Sequence, residues 1–359
     1  MISTTDGLRI AGNQRWSSAR RVGQAIVLTL LILGGGSHAL NSEHWIDPSE
    51  VIGLNGVRCE GEVALVFGGD VMLSRNVAKS IGRNNRDFTS PFAIVAQLTQ
   101  PADVAFCNLE SAISGRGQAI KKRYLFNAPP QAVEGLQHAG FDVVSLANNH
   151  ILDYGPIAME DTARIVKGRG ILPVGLTFQD EPQEPALVER NGLRIAFLAY
   201  CDPVPGASYA REYYAFDKRP AVGNRSNIAR DLAAIRNEVD LIIVSMHWGV
   251  EYQPGPNEHQ ASLGRFIIDQ GAHVLAGHHQ HVQQEPEVYK GALILHGMGN
   301  LVFDQRSRPS TRQSRLYRVH ADRRGIVSAE YLPLVISLQD WTPRPTATAF
   351  IEVMRREDD

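Results

Sequence analysis

Five apolar runs of this chain each end in side chains of metal-ligating type. Val63–Phe67 runs into Gly68-Gly69-Asp70, Val104–Cys107 into Asn108-Leu109-Glu110, and Val143–Leu146 into Ala147-Asn148-Asn149-His150. Leu241–Ser245 runs into Met246-His247-Trp248-Gly249, and Val274–Ala276 into Gly277-His278-His279-Gln280-His281. Carboxylate, imidazole and amide oxygen together suit a divalent metal such as Zn, Mn or Fe. Singly, each residue has an ordinary explanation. An Asp at a strand end caps a turn, Glu110 reads as a solvated loop residue, and His247 beside Trp248 reads as a packed histidine. Their recurrence at five strand ends argues instead for one shared site. His279 and His281, two apart on an extended exit, face the same side, and that parity turns His278 the other way, toward packing or solvent. Arg75, just past the Asp70 loop, is placed to pair with a phosphate or carboxylate. No competing chemistry is written in the chain: it has no Gly-x-Ser-x-Gly elbow, no P-loop and no strand followed by G-x-G-x-x-G.

The elements that must position these residues follow from the same pattern. The apolar runs, with Leu172–Val174, Leu193–Tyr200 and Ala292–Leu295, are continuous rather than alternating, as in strands covered on both faces. Helical segments lie between them at Pro129–His138, Ile157–Lys167, Asn227–Asn237 and Asn257–Gln270. The first opens on prolines and stops at Gly140, and the last stops at Gly271, which are start and stop signals of helices. Alternating strands and helices predict an α/β fold with a mixed sheet. In such folds ligands bind at the carboxyl ends of the strands, where the polar residues sit.

The 359 residues are 43% hydrophobic and 21% charged, which excludes a disordered chain and a multi-span membrane protein. The net charge of −2 offers no global attraction for nucleic acid. Three scattered cysteines exclude a disulfide framework and a thiolate zinc site. Histidine is the informative residue, with seven of 12 between His247 and His296. Near the N-terminus, Arg20-Arg21, the apolar run Ala25–Leu33, three glycines and Ser37-His38-Ala39 follow in the order of a secretory signal. The run is shorter than the ~20 residues of a comfortable span. Residues 1–39 are therefore expected to be a signal peptide, cleaved after Ala39, or a signal-anchor over residues 22–40. The protein is then periplasmic, extracellular or held at the membrane. Residues 40–60 read as a linker, 61–315 as the main domain and 316–359 as a β-rich extension of it.

The motifs also carry a resemblance. Phe67–Arg75 (FGGDVMLSR), Asn108-Leu109-Glu110, Ser145–Gly155 (SLANNHILDYG), His247–Pro256 (HWGVEYQPGP), His279-Gln280-His281 and Gly297–Asp304 (GMGNLVFD) resemble the capsule synthesis protein CapA family, or PgsA-type poly-γ-glutamate synthesis proteins, of the calcineurin-like metallophosphatase superfamily. The likeness covers about residues 62–310, with the motifs in the family's order. It implies a four-layer α/β/β/α sandwich and two divalent ions (Mn, Fe or Zn). Asp70 and His281 would hold the first, Glu110 would bridge, and Asn149, His247 and His279 would hold the second. His150 would stand beside the substrate as a proton donor, with Arg75 as an anion partner. Where the superfamily has Asp-x-His, this chain has Asp70-Val71-Met72, so one imidazole of the first site is missing. Gln280 stands where the family often has proline. The implied role is the making or export of an anionic γ-linked glutamate polymer, with a membrane polymer-synthase complex as partner. The alternatives are an exported phosphoesterase and a non-catalytic, metal-stabilised subunit of a polymer synthase.

Overall fold

The computed structural model describes residues 46–52, 61–83, 86–179, 181–202 and 216–357. The expected signal or anchor lies outside the described residues. No helix among the described residues is long and apolar enough to cross a membrane.

In chain order the first half is β1 (Val63–Val71), α1 (Arg75–Arg83), α2 (Val95–Thr99), β2 (Val104–Leu109), α3 (Val133–His138), β3 (Val143–Ser145), α4 (Gly155–Lys167) and β4 (Leu172–Val174). The second half is β5 (Ala186–Arg190), β6 (Leu193–Cys201), α5 (Arg225–Ile235), β7 (Leu241–His247), α6 (Glu258–Asp269), β8 (Val274–His278), β9 (Glu287–Tyr289) and β10 (Ala292–Leu295). The chain then returns to the first sheet through β11 (Asn300–Val302), β12 (Gln313–Asp322), β13 (Gly325–Ile336), β14 (Pro343–Pro345) and β15 (Ile351–Arg355). The first sheet has nine strands, ordered β14-β13-β12-β1-β2-β3-β4, with β11 on β1 and β15 on β13. The second has six, ordered β9-β10-β8-β7-β6-β5. The strands bearing the site residues run parallel within each sheet.

The two sheets face each other. Leu65, Phe67, Phe106 and Val143 of the first pack against Ile195, Phe197, Ile243 and Ala276 of the second, and Phe106 stacks on Phe197 at 5.8 Å. Side chains of opposite parity on the first sheet, such as Val66, Ala105 and Val144, pack with Val77, Leu136 and Met159 of the helices outside it. On the second sheet Ile242, Val244 and Leu275 pack outward against Ile228, Leu232, Leu263 and Ile267. The result is the four-layer α/β/β/α sandwich that the resemblance implied. Burial on both faces explains the continuous apolar runs.

All eight strands expected from apolar runs form, and the four expected helices appear within a few residues of their signals. The proline-rich start of the first becomes a 3-10 turn, Pro130–Ala132, before α3. The polar helix α1 was not legible.

Candidate metal centre

The carboxyl ends of β1, β2, β3, β7 and β8 meet at one place between the sheets. At β1, the chain passes so close to Gly299 that a Cβ on Gly69 would lie 2.0 Å from its carbonyl oxygen. This contact, with Asp70 N–H bonded to Gly299 O at 2.9 Å, fixes where Asp70 emerges. Asn108 Nδ2 donates to Asp70 Oδ1 at 2.9 Å, and His278 Nδ1 lies 3.1 Å from the same oxygen. The His279 amide donates to Asp70 Oδ2 at 3.3 Å, and His281 Nδ1 is 3.4 Å from it. Burial pushes the Asp70 carboxyl up, but hydrogen bonding to His278 and His281 outweighs this and holds it well below the ordinary range.

Glu110 follows β2, its N–H bonded to Val71 O at 2.8 Å. It is fully buried, and neither carboxylate oxygen has a hydrogen-bond partner among the described residues. Three imidazoles surround it instead: Oε1 lies 3.9 Å from His150 Nε2, 3.9 Å from His247 Nε2 and 3.8 Å from His281 Nε2. Burial and the Asp70 charge hold its carboxyl well above the usual value. An unsatisfied buried carboxylate costs several kcal/mol, and a cation among these donors removes the cost. Glu110 belongs to two ligand sets, Glu110–His247–His279 and Asp70–Glu110–His281, whose ligand atoms lie within 4.8 Å of one another in each. Asn149 Oδ1 reaches His247 Nε2 at 3.1 Å, placing the amide beside the first set. His279 Nδ1 is also buried with no hydrogen-bond partner among the described residues. Burial first, then neighbouring imidazoles, holds His247 well below 6.5 and His279 at about 4. Both are thus neutral, the form that binds metal. Asn300 Oδ1, 2.9 Å from His281 Nδ1, orients that ring so that Nε2 faces Glu110. The chemistry of these donors fits divalent metal.

His150 sits in the same hollow. Its Nδ1 is 2.6 Å from Asp153 Oδ2, and its ring stacks on Phe126 at 3.8 Å. Lys122 reaches in from the loop before Phe126 and donates to Asp153 Oδ1 at 2.8 Å and to the Asn149 carbonyl at 2.5 Å. Burial, then the Lys122 charge, lowers the His150 pKa well below 6.5, and burial raises Asp153 to about 6. Arg75 stands further out, at a left-handed turn (φ 51°) into α1. Its Nε is 3.4 Å from Asp304 Oδ2, and its guanidinium carbon is 5.3 Å from the Phe126 ring centre.

The bacterial capsule synthesis protein PGA_cap family model matches residues 64–305, a span that includes all these side chains. The chain belongs to that family. It is 29% identical over 332 residues to the capsule biosynthesis protein CapA of Bacillus anthracis, covering 90% of this chain and 78% of that one. It is 31% identical over 284 residues to the PGA biosynthesis protein CapA of Bacillus subtilis (strain 168), covering 78% of this chain and 72% of that one. Among solved structures, a novel phosphatase of Mycoplasma pneumoniae covers 81% of this chain and 97% of its own, at 15% identity and a TM-score of 0.49.

Of the sequence-derived residues, Asp70, Glu110, Asn149, His150, His247, His279 and His281 converge, and Arg75 lies at the edge. His278 departs from its expected orientation. It was expected to turn away, yet it is fully buried and faces Asp70. The parity argument assumed an extended chain. His278 is the last residue of β8 and keeps that strand's alternation with Val274 and Ala276, which face the space between the sheets, whereas His279 (φ 98°) and His281 (φ 58°) are left-handed, so the chain coils and brings both rings into the same hollow. Met72 occupies the outer core, its sulfur accepting from Ser74 N–H at 3.2 Å. Sequence reasoning missed the supporting roles of Asn108, Lys122, Asp153 and Asn300. Only Asp153, three residues after His150, left a local signal.

Proposed function

We propose that this chain is an exported envelope protein that takes part in the synthesis or export of poly-γ-glutamate capsule polymer through a two-metal centre. The observation that carries this reading is the orphaned Glu110 carboxylate, buried among three imidazole nitrogens in a chain of the capsule synthesis family. Asp70 and His281 would hold one ion, Glu110 would bridge, and Asn149, His247 and His279 would hold the other. Mn, Fe or Zn suits these ligands. Divalent ions bound there would supply Lewis acidity and lower the pKa of water. The chain's own groups do the rest. His278 and Asn108 orient the Asp70 carboxylate, and Asn300 orients His281. With Asp153 ionised, the 2.6 Å contact places a proton on His150 Nδ1 and leaves Nε2 free toward the centre. His150 therefore takes a proton from a nucleophile and returns it to a leaving oxygen or nitrogen. Arg75 would pair with an anionic group of the substrate.

Residues 1–39 are the export signal or anchor in this reading, and the partner is a membrane polymer-synthase complex. Hydrolysis of an exported phosphoester is the second reading, favoured by the His150–Asp153 pair. The test is elemental analysis of purified protein, then turnover of γ-glutamyl oligomers and phosphoesters with and without added Mn. Capsule formation by cells carrying Glu110→Gln is measured in parallel. Stoichiometric metal in the wild type, and loss of both metal and capsule in the variant, are expected. A metal-free wild type, or capsule indifferent to Glu110→Gln, would sink the proposal.

A further inference from the structure

Two basic segments, Lys121-Lys122-Arg123 and the stretch from Arg306 to Arg312, each send one arginine to a ring beside the centre. Each presents a guanidinium laid over an aromatic ring. Arg123 lies 5.1 Å from the centre of the Tyr124 ring, and Arg75 lies 5.7 Å from the same ring. Arg308 lies 4.6 Å from the centre of the Tyr252 ring. The rings lead inward. Phe126, which Arg75 also covers, stacks on His150, and the Tyr252 ring is 6.1 Å from that of His281. Tyr124 is 51% exposed, and Arg75 spans from its ring to that of Phe126 beside His150. Among the described residues, neither Arg123 nor Arg308 has a carboxylate partner, and both are exposed. The carboxylate that faces this group of cations is Asp304, whose Oδ2 lies 3.4 Å from Arg75 Nε. The chain as a whole carries −2, so this cationic rim is local.

We infer that Arg123 on Tyr124 and Arg308 on Tyr252, with Arg75 between Tyr124 and the centre, form a docking track for an extended polycarboxylate chain. The inference rests on the capsule reading and names how that site receives its polymer. A guanidinium over a ring gains a cation–π contact and keeps N–H donors for a carboxylate. The ring also restricts the side chain before binding, which lowers the ordering cost. A polymer bearing a carboxylate on every residue meets guanidinium groups beside the centre while one of its linkages lies over His150 and Glu110.

The experiment is fluorescence anisotropy with a labelled γ-linked glutamate oligomer and Mn-loaded full-length protein at low and physiological salt. Wild type is compared with R123A, R308A, the double variant, its double-lysine counterpart, and R236A. Arg236 packs beside Gly271, at the far end of β8 from the centre. Each alanine is expected to weaken binding about fivefold and the pair about twentyfold. The lysine pair is expected to recover part of the loss, R236A to change nothing, and binding to weaken with salt. Unchanged melting temperatures separate lost docking from lost folding. Equal affinity of wild type and double variant, or no binding by wild type, would overturn the inference. So would tighter binding of single-stranded DNA of equal charge, which would assign the rim to phosphodiester chains. If the oligomer fails to bind while capsule formation still requires Glu110, only the track falls and the capsule reading stands.

Discussion

Glu110 and His150 illustrate two different tasks within one hollow. Glu110 is shared by both ligand sets, whereas His150 approaches the same carboxylate but is held by Asp153 and Lys122. Removing His150 should therefore leave metal content nearly unchanged and slow any turnover by ~10²–10⁴-fold. His247→Ala should instead lose one equivalent of metal. Metal analysis of both variants, with kinetics on the first, checks the pair, and equal metal loss would remove the distinction. The pH response of metal-free protein is a second expectation at this scale. His150, His247 and His279 are neutral when folded but take a proton below about 6.5 when unfolded. Asp70, held low, likewise resists protonation only in the folded state. Glu110 and Asp153, held high, act in the opposite sense. Asp70 contributes only near and below pH 4, so between pH 6.5 and 4 three imidazoles stand against two carboxyls, the unfolded chain binds more protons, and stability should fall as pH drops through that range. Urea midpoints across that range measure it, and a rise toward acid would contradict the assignment.

At the scale of elements, the decisive contact is between β1 and the segment leading into β11. Gly69 lies against the Gly299 carbonyl, and β1 changes register on both of its parallel neighbours near Asp70. The irregularity re-aims the strand end, as bulges beside functional sites do. Gly69→Ala must push the two backbones apart, because no side chain is available to yield. We expect a loss of ~1–3 kcal/mol together with weakened metal binding, read by thermal melting and by metal titration. Unchanged melting and metal affinity would mean that this contact does not position Asp70. Helix α6 shows the opposite, locally written case. Asn257 and Gln260 form a reciprocal capping box at its start, and the sequence places that helix within one residue of its ends.

Across the whole molecule, the C-terminal strands complete the first sheet. β12 pairs antiparallel with β1 from Val63↔Ala321 to Phe67↔Tyr317, and Tyr317, Val319 and Ala321 join the core between the sheets. Truncation before Gln313 would leave β1 without its neighbour and expose that core. Such a chain should be insoluble or rapidly digested, as soluble expression and limited proteolysis would reveal. A soluble, metal-binding truncation would show that these strands are dispensable.

The inventory of ligand types, their places at strand ends and the alternation of strands with helices were legible in the chain because they depend on local pattern. Apolar runs between covered faces and polar residues just beyond them need no knowledge of distant segments. Helix α1 escaped this reading because, among its nine residues, only Val77 and Ile81 are buried. The pairing of Lys122 with Asp153, the support of His281 by Asn300 and the turn of His278 toward Asp70 were decided only by tertiary structure. These arrangements join residues as far as 208 positions apart, and left-handed backbone at His279 and His281 brings those two rings to the side that His278 already faces. Strand periodicity fixes where a side chain points only while the chain stays extended. At the mouth of this site it does not, and packing between the two sheets sets the geometry instead.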